Sequence, residues 1–139
     1  MTHRFTTMIL TAGLSALLAG LTLSAQINRS EVATIPFAFE AQGQWHPAGT
    51  YRVQQRNESG LFQLYSVEGE STFLNAPVEN TGAAESPKLV FRCYGNERVL
   101  ATIWMENGTS YSTRESSREK EMRRSLGMSS LISVKLMPR

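Results

Sequence analysis

The chain contains no aspartate, a single cysteine (Cys93) and only His3 and His46 as histidines. Each shortage removes a class of chemistry. A nucleophile–histidine–carboxylate triad needs an imidazole to carry the proton. His3 falls in the N-terminal leader, and His46 abuts Pro47, so His46 reads as a turn or surface residue. No serine occupies a Gly-x-Ser-x-Gly frame. Zinc needs several His, Cys or carboxylate ligands in convergence, whereas His46 and Cys93 stand about 47 positions apart. An EF-hand loop, which needs acidic oxygens at alternate positions, is absent, as is a Gly-rich phosphate cradle of Walker or Rossmann form. One cysteine cannot form an internal disulfide. Cys93 lies in an apolar run, where burial is the common fate of a thiol, and on a strand its basic neighbour Arg92 points to the opposite face. These residues nominate no catalytic group, cofactor or metal.

Charge of one sign is also scarce. The net charge is +2 with His neutral, too little for a field that would attract nucleic acid. The basic residues between Arg114 and Arg124 alternate with Glu115, Glu119 and Glu121, the pattern of a solvated mixed-charge face. Glu68 and Glu70 flank Gly69, a turn setting that favours solvated side chains over a glycosidase pair. Three Asn-x-Ser/Thr triplets begin at Asn28, Asn57 and Asn107, a short pattern that occurs by chance.

The apolar stretch long enough to notice is at the start. Arg4 precedes residues 8–23, which carry no charge, and Leu23-Ser24-Ala25 then offers a small residue for signal peptidase. This is the three-part pattern of a secretory signal peptide, with cleavage between Ala25 and Gln26. The run is shorter than the roughly 20 apolar residues of a spanning helix. The expected organisation is a signal peptide over residues 1–25 and a single β-rich domain over residues 26–139, working in the periplasm or outside the cell. About 114 residues remain after cleavage, enough to bury a core without covalent staples.

Strand patterns fill the remainder. Ala33, Ile35, Phe37 and Phe39 alternate, with Pro36 marking an edge or bulge. A Gly-containing turn over 41–45 and a His46-Pro47-Ala48-Gly49 turn lead into Thr50–Arg56. Leu61–Val67 and Ser71–Val78 follow, then a small polar loop over 79–87. In Lys88–Tyr94, Leu89, Phe91 and Cys93 share a face. In Arg98–Met105, Val99, Ala101, Ile103 and Met105 are expected on one face, opposite Leu100 and Trp104. Ser112–Leu126 is the helical candidate: Ser112 and Glu115 have capping-box spacing, Glu119 and Arg123 form an i,i+4 pair, and Gly127 ends it. Ile132, Val134 and Leu136 suggest a closing strand. The fold class is all-β, mainly antiparallel: a small barrel or sandwich of about seven or eight strands with one peripheral C-terminal helix. Barrel closure is preferred because it removes exposed edges.

Phe37, Phe39, Tyr51, Phe62, Tyr65, Phe91 and Trp104 are the expected aromatic core. Trp45, in a turn next to His46, either covers the open end of the barrel or lines a binding mouth. Trp45 and His46 are the candidate ligand or partner contacts.

Ile35-Pro36-Phe37-Ala38-Phe39 with Pro47-Ala48-Gly49-Thr50-Tyr51-Arg52-Val53 resembles a family of small uncharacterised exported bacterial proteins. Leu89-Val90-Phe91, Tyr94-Gly95 and Ile103-Trp104 resemble a second segment of that family, so that the likeness spans most of residues 31–126. Members often carry Asp where Ala38 stands, and often His in the segment that here holds Arg92 and Cys93. The resemblance implies a signal peptide, export and a β-rich domain, and it transfers no site residues. Two functions are expected from different classes: a non-enzymatic domain binding an envelope protein or surface polymer, and a barrel enclosing a small apolar ligand.

Overall fold

The computed structural model describes residues 29–127 and 130–139. The cleavage position at Ala25 and Gln26 lies outside the described residues. Among the described residues, twelve strands and one helix run in the order β1 (Ser30–Ile35), β2 (Phe39–Ala41), β3 (Gln44–His46), β4 (Gly49–Gln55), β5 (Leu61–Ser66), β6 (Ser71–Asn75), β7 (Val78–Asn80), β8 (Lys88–Tyr94), β9 (Glu97–Trp104), β10 (Ser110–Ser112), α1 (Ser117–Leu126), β11 (Ser130–Lys135) and β12 (Met137–Pro138). The all-β class with a single C-terminal helix holds. The extra strands come from segments expected to be continuous or turn-like, which break where the chain changes sheet or reverses.

One sheet has the order β12-β1-β4-β5-β6, the other β11-β8-β9-β10-β7, with the β2–β3 hairpin joined to β9. Among the described residues the ladders do not close into the expected barrel. Instead the chain itself carries over at both margins: from β6 to β7 through Ala76-Pro77, and from β11 to β12 through Leu136. Proline ends the β6 ladder because it has no N–H to give. Between the sheets lies one core that includes Ile35, Phe39, Tyr51, Val53, Phe62, Leu74, Leu89, Phe91, Leu100, Ile103 and Leu136. Burying each of the larger side chains contributes about 1.5–3 kcal/mol. Phe37 packs against this core half-buried, and Tyr65 and Trp104 stay outside it.

Strand β9 departs from the expected alternation. Its register with β8 shifts between Val90 and Phe91, where Phe91 faces Leu100 but Val90 faces Thr102. Ala101 is the additional residue of a β-bulge, and one extra residue reverses which side chains face inward. Leu100 therefore enters the core together with Ile103, while Val99 joins Tyr94 and Met122 in a separate cluster. The bulge sits where β9 changes partner, from β2 at Val99 to β10 from Thr102 onward. Thr113 accommodates the freed backbone groups. Its N–H donates to the Ala101 carbonyl (2.8 Å) and its hydroxyl to the Leu100 carbonyl (2.6 Å).

The helix begins one turn later than Ser112 implies. Ser112 belongs to β10 and donates to Glu79; the N-cap is Ser116, whose hydroxyl accepts the Glu119 N–H. The same Ser-x-x-Glu spacing recurs at Ser116 and Glu119, and this second copy is the one used. Gly127 ends the helix as expected, donating its N–H to the Arg123 carbonyl. Arg123 pairs with Glu115 at 2.9 Å rather than with Glu119.

The β2–β3 hairpin turns through Gln42 and Gly43, both at positive φ, the geometry of a two-residue primed turn. The Gln42 amide clamps the backbone of Asn75 at the outer margin of β6: Nε2 donates to the carbonyl (2.5 Å) and Oε1 accepts the N–H (3.0 Å). Gly60, between β4 and β5, has φ +100, and a Cβ there would lie 1.9 Å from the Ala76 carbonyl oxygen. Gly69 has φ +97 but open space around it. Gly69→Ala is expected to cost about 1 kcal/mol, the conformational penalty alone. Gly60→Ala is expected to cost at least about 2 kcal/mol more, because backbone must move. Urea unfolding of the two variants side by side checks the difference.

Candidate functional site

Glu40 lies between Phe39 and Ala41, which face the core, so alternation sends its side chain to the other face of β2. There it is fully buried. Its Oε1 accepts from the Ser116 hydroxyl at 2.7 Å, and Oε2 lies 3.4 Å from Arg118 Nε. Ser116 thus caps the helix and bonds Glu40 with one hydroxyl. The carboxylate also sits at the positive end of the α1 dipole, a favourable place for negative charge.

Trp45 is the cross-strand neighbour of Glu40. Its ring carries the Arg118 guanidinium at 4.5 Å from the centroid. Arg118 therefore stacks on an aromatic face while its nitrogens reach towards Glu40 and, at 4.0 Å, Glu97. Trp45 remains 43% exposed, which corrects the covering role: there is no closed barrel end, and the ring lies outside the two-sheet core.

His46 is also corrected. It belongs to β3 rather than to a surface turn, and only 9% of it is exposed. Opposite Phe39 in the ladder, its imidazole stacks on that ring at 5.1 Å and meets Tyr51 edge-on at 6.1 Å. Burial pushes its pKa below the ordinary value, against a smaller opposite influence from Glu70. Trp45 and His46 are sequence neighbours on opposite faces of one strand, so the structure does not bring them into a common site. Glu68 and Glu70 are exposed, as expected for a solvated turn, and Cys93 is buried.

A second polar group lies beneath the helix. Glu119, 1% exposed, accepts from Arg92 Nε at 2.5 Å and from the Tyr94 hydroxyl at 2.9 Å. Burial and the neighbouring carboxylate both raise the Tyr94 pKa. Arg92 is raised as well: burial is the largest single influence and opposes its charge, but the bond and the charge of Glu119, with smaller contributions from Tyr94 and Glu115, together outweigh it. The arrangement anchors α1 to β8, and breaking a buried pair of this kind by removing one partner costs about 3–5 kcal/mol.

Sequence reasoning missed Glu40, Arg92, Arg118 and Glu119. Glu40 did carry a signal, being out of phase with its apolar neighbours. So did Ser116-x-x-Glu119, which repeats the capping spacing.

Glu31 on β1 is the remaining unusual acid. It is 6% exposed, and its pKa is raised above the ordinary 4.5 chiefly by burial and also by the Glu106 carboxylate. The Glu106 N–H and Arg29 act in the opposite direction without cancelling it.

Two pH effects are expected. The folded chain disfavours protonated His46, so stability falls as pH drops below the histidine's unfolded value of 6.5. His46→Phe flattens thermal denaturation between about pH 7 and 5. Glu31 acts with the opposite sign. Its ionisation is disfavoured in the fold, so Glu31→Gln melts higher than the parent at pH 7, and the gain disappears as pH falls through the raised pKa towards 4.5.

Comparison with known proteins finds no matching family model, no matching curated protein and no matching solved structure.

Proposed function

We propose that the chain is an exported, non-enzymatic binding domain that meets an envelope protein or a surface polymer through the surface around Trp45. The observation that carries this reading is the Trp45–Arg118 pair. An exposed tryptophan held in place by a stacked guanidinium, itself aimed by the buried carboxylate of Glu40, is a preorganised contact. Tryptophan and arginine are the side chains that most often dominate binding energy at interfaces. Fixing them before the partner arrives reduces the ordering cost of association.

Export is supported by the uncharged run at 8–23 and the small-residue exit at Ala25. The likeness to small exported bacterial proteins agrees with it. Enclosure of an apolar ligand finds less support. Phe39, Phe62, Leu74, Leu89, Phe91 and Ile103 fill the space between the sheets and are each fully buried.

Trp45→Ala and Arg118→Ala are expected to weaken retention on purified envelope fractions at least about tenfold; Trp45→Ala changes the melting temperature by only a few degrees, whereas Arg118→Ala lowers it further by leaving the buried Glu40 carboxylate without its cation. Val67→Ala, at a residue 76% exposed, serves as the control and retains binding. Crosslinking from position 45 followed by mass spectrometry identifies the partner, and sedimentation with cell-wall polymer tests the polymer. Equal retention by the parent and Trp45→Ala sinks the proposal.

A further inference from the structure

The five-stranded sheet has a second face. Ala33, Tyr51, Val53, Phe62, Leu64 and Leu74 point into the core, so alternation sends the residues between them outward. The strand registers set those outward residues in rows across the sheet. One row runs through Met137, Val32, Arg52, Tyr65 and Ser71, and the next through Gln54, Gln63 and Phe73. Phe73 is 58% exposed and Met137 50%. The face shares no residue with the Trp45 surface.

Arg52 gives this face its charge, and its position is fixed. The guanidinium lies 4.4 Å from the centroid of the Tyr65 ring, its cross-strand neighbour. Tyr65 is itself tied down: its hydroxyl donates to Gln63 Oε1 at 2.5 Å, and Gln63 Nε2 donates to the Ser71 hydroxyl at 3.3 Å. No acid pairs with Arg52 among the described residues. A groove of about 330 Å³ lies along the same row, and no acidic side chain lines it. Glu68 and Glu70 line a neighbouring cavity by Pro47 and Tyr51 instead. The Arg52 Nε is closed to solvent, so an anion is received by the two terminal nitrogens, in the plane of the stacked fork.

The chemistry of the face selects among occupants. An extended peptide adds to the edge of a sheet, where backbone groups are free, rather than to its face. A second copy, face to face, would bring two unpaired guanidinium groups together with no acidic side chain from either face between them. What remains on offer is an exposed aromatic ring, amides and hydroxyls that both donate and accept, and one cation. A hydroxylated ring with an apolar side and a carboxylate complements all three. Arg52 and Phe73 stand two strands apart, on the order of 10 Å, so they meet different units of a chain rather than one small molecule.

We propose that this outer face binds an anionic polysaccharide laid across the strands, with one unit stacked on Phe73 and the carboxylate of another held by Arg52. Nothing in this assignment depends on a partner at Trp45.

Isothermal titration calorimetry of the purified protein with hexamers of galacturonate and of mannuronate tests the assignment. At least one of the two is expected to bind saturably. Galacturonate monomer, the neutral maltohexaose, hexaglutamate and phosphatidylglycerol vesicles should each bind at least about tenfold more weakly. Phe73→Ala, at an exposed position that leaves the core intact, and Arg52→Gln should each weaken the hexamer at least about tenfold. Trp45→Ala should bind it like the parent. The assignment is overturned if neither hexamer binds, if the monomer or the neutral hexamer binds as tightly, or if either face variant binds like the parent. Equal binding of hexaglutamate assigns the face to acidic peptides, and equal binding of vesicles assigns it to membranes. A dimer in sedimentation equilibrium that Phe73→Ala dissociates assigns it to a second copy, and each of these three results also sinks the proposal.

Discussion

One edge of β9 serves two partners, and the rest of the molecule follows from how that is resolved. A strand edge offers a single row of donors and acceptors. Here the first half of the row meets β2 in parallel and the second half meets β10 antiparallel. The extra residue at Ala101 separates the two pairings, and Thr113 takes up the carbonyls left over. Reversed alternation then directs Leu100 into the core and Val99 outward, where it meets Tyr94 and Met122. Without that outward apolar spot, α1 would have little to rest on, since Met122 is its one buried apolar residue.

The helix in turn depends on polar contacts more than on greasy ones. Its first turn is fixed by Ser116 between the Glu119 N–H and Glu40, and its middle by Glu119 on Arg92 and Tyr94. Arg118 emerges from that first turn directly over Trp45. The exposed tryptophan thus inherits its orientation from a chain of contacts that begins at a bulge in a different strand. This is how a weakly amphipathic segment can still position a surface group: buried ion pairs contribute specific geometry even where their net stabilisation is small.

Strand periodicity was legible wherever side chains alternate regularly, as in Leu89 and Phe91 on β8 or Tyr51 and Val53 on β4. Turn chemistry was legible too: Asn57-Glu58-Ser59-Gly60 and Asn107-Gly108 reverse the chain as their residues imply. The inversion at Ala101 was not legible, because a small apolar residue in an apolar run carries no mark of being supernumerary. Nor was the burial of His46, which follows from its place opposite Phe39, a pairing set by the register of a hairpin whose turn was read too broadly. The charged residues of α1 resembled a solvated face because sequence alone cannot reveal that Arg92, 27 positions earlier, lies beneath Glu119. Closure was the wrong choice for a subtler reason. Exposed edges can be ended by chain crossing and side chains as well as by completing a ladder.

Gln42 illustrates that last point. A primary amide presents one donor and one acceptor in the spacing of a peptide unit, so at Asn75 it stands in for the next strand without being one. A foreign extended segment arriving at that margin of β6 would find the Asn75 position already taken by a group too short to extend the sheet. The hairpin tip therefore acts as a stopper against intermolecular strand addition, a useful property for a β-rich chain that has to remain dispersed while it folds.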